Sequence, residues 1–191
     1  MKAQLRRLAQ ALFREYQLNR IYYLDMSEQP PSAPMDMAEG VSIRLIDNPQ
    51  QITASTDQRI RDHAWYAGAQ AIGYGVWEDG ELVCMCWFWL AGHSAMPGRF
   101  PALEKKEAVM VDLLTTPRCR GKGYAVAITR FAMHDLYSRG YLKLWTWIWH
   151  SNTPSIRVFA KAGWTYSHFL AEIQFPGFRK LIPFRLPAFG N

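Results

Sequence analysis

The stretch Thr116–Ala125, TPRCRGKGYA, constrains this chain more than any other: three cations, two glycines and a proline stand between the apolar run AVMVDLL and a segment of helical spacing. A glycine-bearing loop running from a strand into a helix start presents unpaired backbone N–H groups and the positive end of the helix dipole, which together suit an anion. Glycine lets the backbone approach that anion closely. Arg120 and Lys122 add charge, and the planar fork of an arginine matches phosphate oxygens. An isolated R-G-K-G would be read as a basic turn capping a helix, but here a strand precedes it and a second strand and capped helix follow. The two familiar phosphate motifs are excluded, since neither G-x-x-x-x-G-K-S/T nor G-x-G-x-x-G occurs.

The surrounding pattern alternates helix and strand. Gln4 to Leu18 places Leu5, Leu8, Leu12 and Tyr16 at helical spacing with arginines on other faces, which predicts an amphipathic helix. RIYYLDM reads as a short strand and SEQPPSAPMDMAEG as a linker, so residues 1–40 are expected to form an N-terminal appendage and residues 41–191 the main domain. In that domain VSIRLI alternates as a half-buried strand does, Asp47 to Ser55 carries turn and cap residues, and Thr56 to Tyr66 reads as a helix. GYGVWEDGELVCMCWFWLA reads as an antiparallel pair turning at Asp79-Gly80. A loop then leads to a strand over Glu107–Thr115. Gly123 to Arg139 has apolar residues three and four apart and stops at Gly140; Leu142 to Trp149 is a strand; Thr153 is expected to cap a helix with Pro154 at its first position, closing at Gly163. Trp164–Phe175 and Lys180–Leu186 read as final strands.

The net charge of +6 favours an anionic partner without choosing among nucleic acid, a membrane surface and a phosphorylated small molecule. Nucleic acid is disfavoured, because no recognised motif or exposed aromatic-basic interleaving accompanies the charge. Three cysteines cannot form the disulfide framework of a small secreted domain, no Cys/His set has zinc spacing, and no run approaches a membrane span, so a cytoplasmic protein without a metal is expected. Among eight tryptophans, Trp87 and Trp89 share one strand face and Trp145, Trp147 and Trp149 another. Core packing is the default for these, and an aromatic acceptor pocket the alternative.

Arg120-Gly121-Lys122-Gly123-Tyr124-Ala125 resembles the Arg/Gln-x-x-Gly-x-Gly/Ala signature of the GNAT superfamily, the acyl-CoA-dependent N-acyltransferases. Asn152 to Trp164, NTPSIRVFAKAGW, resembles that family's second signature. The resemblance runs from Val41 to about Leu186. It implies an α+β fold in which helices flank a mixed, mainly antiparallel sheet whose middle strands splay apart. It also implies acetyl-CoA or another acyl-CoA as co-substrate. The diphosphate would then lie on Arg120, Gly121, Lys122, Gly123, Tyr124 and Ala125, the pantetheine arm along Leu113, Leu114 and Thr115, and the thioester end beside Asn152, Ser155 and Phe159.

Acyl transfer to an amine needs a neutral nucleophile, a polarised thioester and a proton for the departing thiolate. The family often carries a tyrosine where Phe159 stands here, and phenylalanine has no proton to give. Tyr124, Tyr166 and His150 are the candidate donors. Asp112, in an otherwise apolar strand, and Glu107 are the candidate bases, since the usual acidic position falls on Val109. His63, His93, His134 and His168 have no constellation around them in sequence. The expectation is an N-acetyltransferase acting by direct attack in a ternary complex on a small-molecule or peptide amine. The alternative is an acyl-CoA-binding module of the same fold with weakened catalysis. A homodimer is left open.

Overall fold

Asp79 and Gly80, at φ of 53° and 82°, turn the chain between strands β3 (Ala71–Glu78) and β4 (Glu81–Leu90) of a computed structural model that describes residues 15–96 and 102–187. Two positive-φ residues between paired strands match the right-handed twist of a hairpin, as the Asp-Gly pair predicts. Around this hairpin lies one sheet of eight strands in the order β2-β3-β4-β5-β6-β1-β7-β8. β2 is Val41–Ile46, β5 Glu107–Thr115, β6 Lys143–Trp149, β7 Thr165–Gln174 and β8 Ile182–Pro187. Every neighbouring pair is antiparallel except β5 and β6, which run parallel.

The first strand corrects the end of the expected N-terminal helix, at residues 15–18. β1 spans Glu15–Asp25 and lies inside the sheet, antiparallel to β6 on one side and β7 on the other. Tyr16 and Leu18, expected to be helical, pair with Ile173 and Ala171. β7 along most of this tyrosine-rich stretch, and β6 from Asn19 onward, offer strand edges for its backbone groups, and that outweighs a helical periodicity seen in few residues. Residues 4–14 of the expected helix lie outside the described residues. The chain before Val41 therefore contributes a strand to the same sheet as the residues after it.

Four helices flank the sheet: α1 (Gln50–Thr53), α2 (Gln58–Asp62), α3 (Tyr124–Ser138) and α4 (Thr153–Lys161). The helix expected over Thr56–Tyr66 is divided into α2, capped by the Asp57 carboxylate accepting from the Arg59 N–H, and a 3-10 turn at Ala64–Tyr66. Ile128, Ala132 and Leu136 of α3 bury themselves against Tyr74, Phe88, Met110 and Leu144 on one face of the sheet. On the other face Ile52 of α1 and Ile60 of α2 pack with Trp77, Met85 and Trp87, and beside them Trp89, Val109, Ile21 and Leu170 form a further cluster. Burying one such large apolar side chain is worth about 1.5–3 kcal/mol, so both layers hold the sheet firmly.

Two features of β5 open the molecule. Its parallel ladder with β6 joins Glu107–Met110 to Lys143–Thr146 and goes no further, although β5 runs on to Thr115 and β6 to Trp149. At the point of parting, the register against β4 steps from Phe88↔Met110 to Trp87↔Asp112, leaving Val111 as the extra residue of a β-bulge. A bulge bends its strand and re-aims the side chains beyond it.

Candidate functional site

Two cavities adjoin where β5 and β6 part. The larger, about 580 Å³, lies between the end of β5, the glycine loop and the starts of α3 and α4. Leu113, Leu114 and Thr115, then Arg120, Gly121, Gly123, Tyr124 and Ala125, then Asn152 and Ser155 line it. The smaller, about 370 Å³, shares Leu113, Asn152 and Ser155 with the first and reaches between the splayed strands to Asp112, Trp147 and Trp149. Of the residues expected to hold a co-substrate, only Lys122 and Phe159 do not line the larger cavity; Phe159 lines the smaller one.

The loop leaves backbone N–H groups open at the start of α3. Gly121 and Gly123 take φ of 82° and 83°, a region costly to residues with a Cβ, and a Cβ at either would meet nothing within 4 Å. Gly123 is the N-cap of α3 and supplies no side chain, so no side-chain group occupies the N–H groups of the first turn. Along β5 beyond Met110 the edge facing β6 has no ladder partner, which leaves a backbone edge for an extended, peptide-like arm. A diphosphate joined to an amide-bearing chain fits this combination of helix start and open strand edge.

The loop's positive charge is distributed in a way the sequence does not reveal. Lys122 Nζ lies 2.7 Å from Glu78 Oε1, and Arg118 pairs with Glu81, both carboxylates belonging to the ends of the β3–β4 hairpin. Arg120 makes no ion pair among the described residues and lines the larger cavity. Glu78 also accepts hydrogen bonds from the Tyr124 hydroxyl and from the Cys119 thiol at 3.2 Å. Those donors, Lys122 first, hold the Glu78 carboxyl at about 2, and the same contact pushes the Tyr124 hydroxyl up to about 12. Cys119, otherwise without a role in the sequence, is a buried tether of the loop.

The capping residue of α4 shifts by one from the expected position. Asn152 is the N-cap, its side-chain oxygen accepting from the Ser155 N–H at 3.3 Å, while Thr153 and Pro154 occupy the first turn. The amide oxygen satisfies an orphan N–H of the helix start, which the Thr153 position cannot do from inside the helix.

The candidate proton-transfer groups are not gathered in one place. Tyr124 lines the larger cavity with its hydroxyl turned to Glu78. His150, just past β6, packs edge-on to Trp149 and Phe169, and its Nδ1 is buried without a hydrogen bond. Tyr166 packs on Tyr22, and Glu107 accepts from the Glu104 N–H at the far end of β5. Asp112 lies in the smaller cavity, its side chain 14% exposed, with His63 Nδ1 3.3 Å from its Oδ2. Burial holds the Asp112 carboxyl above the ordinary carboxylate range, with His63 and the Leu113 N–H pulling the other way. His63 is thus a member of the constellation that the sequence does not show.

Sequence reasoning also missed Gln17 and Asn19, which line the smaller cavity from β1. The amide nitrogen of Asn19 is buried without a hydrogen-bond partner. The only signal was the strand-like RIYYLDM immediately downstream. The tryptophans divide between their two readings: Trp87 and Trp89 are core, whereas Trp147 and Trp149 line the cavity. No group of three or more His, Cys, Asp or Glu among the described residues is placed to hold a metal ion, and no described helix is long and apolar enough to cross a membrane.

Among solved structures the fold is similar to a GCN5-related N-acetyltransferase from Sphaerobacter thermophilus, at 19% identity over 93% of this chain and 58% of that one, TM-score 0.55. It is likewise similar to a GCN5-related N-acetyltransferase from Kribbella flavida, at 11% identity over 87% of this chain and 60% of that one, TM-score 0.57. A tandem GNAT protein from the clavulanic acid biosynthesis pathway matches at 16% identity over 91% of this chain and 59% of that one, TM-score 0.57. This chain spans between 56% and 64% of the length of the first structures it matches. No curated protein matches the sequence. The model of the acetyltransferase (GNAT) family matches residues 41–164, which takes in the bulged strand, the glycine loop, α3, β6 and α4. With the splayed strands and the glycine loop in the places that match covers, the chain belongs to the GNAT acetyltransferase family.

Proposed function

We propose that the chain transfers an acetyl group, or another acyl group, from acyl-CoA to the amine of a small molecule or peptide by direct attack in a ternary complex. The observation that carries this reading is the meeting of two cavities at Leu113, Asn152 and Ser155, where β5 and β6 part. One cavity suits the diphosphate and pantetheine of the thioester, with Arg120 and the start of α3 at its anionic end; the other is left for the acceptor, with Trp147 and Trp149 as its apolar lining. Holding both reactants in one geometry removes the entropic cost of a bimolecular encounter. In the reaction the amine lone pair attacks the thioester carbonyl, the C–S bond breaks with its electron pair on sulfur, and the thiolate takes up a proton as the amide forms.

Titration of the protein with CoA by calorimetry, followed by thiol release from acetyl-CoA across a panel of primary amines, tests this reading. Saturable CoA binding with release dependent on one amine is the expected result; no CoA binding at millimolar ligand would overturn it. A second reading, an acyl-CoA-binding module with weakened turnover, is favoured by Phe159, whose buried ring stands in the smaller cavity without a hydroxyl. It predicts CoA binding with no acylated amine.

A further inference from the structure

Behind the splayed strands, on the face of the sheet opposite α3, one carboxylate and one imidazole share a position that the glycine loop does not explain. The bulge at Val111 carries β5 out of its alternation, and Asp112 emerges on the open strand edge next to Leu113. Its Oδ2 is buried, as is the His63 Nδ1 that lies 3.3 Å away, and neither atom has a hydrogen-bond partner among the described residues. The imidazole and the carboxylate thus face each other at ion-pair distance. His63 is delivered by the end of α2, where it is the C-cap residue, and its side chain keeps 30% exposure although Nδ1 is buried. Asp112 itself lines the cavity between β5 and β6.

We propose that His63, oriented by Asp112, is the base that takes the proton from the acceptor amine through one bridging water, since Asp112 lines the acceptor cavity and His63 stands behind it. This rests on the acyl-transfer reading. A carboxylate against Nδ1 holds that nitrogen protonated and leaves the lone pair on Nε2, and it stabilises the imidazolium that forms when Nε2 accepts a proton. His63 takes one proton from the ammonium. The freed lone pair attacks the thioester carbonyl, the C–S bond breaks with its electrons on sulfur, and the second amine proton passes to the thiolate as the amide forms. Ammonium and thioester thus give amide, thiol and one proton, which leaves from the imidazolium to solvent.

Among the described residues no other charged group is paired with His63. Tyr66, whose ring meets the imidazole edge-on at 5.6 Å, has its hydroxyl pushed up to about 12 by burial and by the Asp112 charge, so it stays neutral. Cys84 and Cys86 lie near Asp112 on β4, and burial raises both thiols far enough to keep them neutral. On α2 the charges face elsewhere: Arg59 is paired with Asp57, Arg61 bonds Gln58 and the Ser55 carbonyl, and Asp62 accepts from Gln58. The wall beside the pair is aromatic. Trp65, 60% exposed, stacks on Tyr66 at 3.9 Å, and Trp89 stacks on His93 at 4.1 Å.

The test uses the full chain with acetyl-CoA and four amines: tryptamine, 2-phenylethylamine, ethanolamine and spermidine. For the best of them, His63→Gln is expected to lower kcat/KM by about 100- to 1,000-fold, the scale of general-base catalysis. CoA affinity should stay within about twofold of wild type, because neither His63 nor Asp112 lines the larger cavity. Imidazole added to the buffer should restore part of the activity of His63→Ala. Asp112→Asn should lower kcat/KM for the same amine with CoA affinity unchanged, as the imidazole loses the group that orients it. A His63→Gln variant as active as wild type overturns the proposal and leaves acyl transfer standing; a wild-type chain that acylates no amine overturns acyl transfer and the proposal with it. Imidazole nitrogen NMR supplies a readout independent of turnover: the Nδ1-protonated tautomer of His63 is expected, and an unchanged His63 spectrum in Asp112→Asn would also overturn the pairing.

Discussion

Arg120 is the loop cation that no carboxylate neutralises, since Lys122 and Arg118 are held by Glu78 and Glu81. Its guanidinium is therefore the charge available to a phosphate. Arg120→Glu should weaken CoA binding by about 10- to 100-fold, the scale of one charge-assisted hydrogen bond, and leave the urea midpoint unchanged; calorimetry and urea melts would measure the two effects. Lys122→Ala should weaken binding less, because its charge is already spent on Glu78. That carboxylate makes its own prediction. With its folded value near 2, below the ordinary 4.5, its contribution to stability is fully present above about 4.5 and is lost as the pH falls through 2. Glu78→Gln should be less stable than wild type at pH 6, and the two urea curves should converge as the pH drops.

At the scale of elements, α4 depends on its cap. The Asn152 side chain serves the Ser155 N–H, so Asn152→Ala should cost about 1 kcal/mol of unfolding free energy by urea titration. Most elements were legible in the sequence because their determinants are local. Asp79-Gly80 marks a hairpin whatever surrounds it, Glu107–Thr115 is apolar and rich in strand formers, and Gly123 and Gly140 bracket α3. Only the second half of β1 was, as RIYYLDM; its first half was not, because its pairing partner β7 lies at the other end of the chain, and a buried strand needs no alternation of its own. The same distance hid half of the site. The glycine loop, Leu113–Thr115 and Asn152–Ser155 are continuous segments that can be read in place. His63 with Asp112, and Glu78 with Cys119, Lys122 and Tyr124, meet only through the sheet.

At the scale of the whole molecule, β1 stands between two strands drawn from the other end of the chain. A chain beginning at Val41 keeps all of the residues matched by the family model yet leaves β6 and β7 without the strand between them. Each would expose an open edge, and an unpaired edge invites pairing with other chains. Residues 41–191 expressed alone should be insoluble or unfold without cooperativity, as sedimentation and thermal melts would show, whereas co-expression with a segment containing Glu15–Asp25 should recover soluble protein. The sheet itself is two antiparallel halves, β2 to β5 and β6 with β1, β7 and β8, sewn together by the four residue pairs of one parallel ladder. This seam is short because the cleft needs the rest of both strands. A ligand arm laid along Leu113–Thr115 would act as a splint across it, adding rungs that the chain lacks. The filled protein should then resist unfolding by RT ln(1 + [L]/Kd), and the added protection of backbone amides should be greatest at the seam.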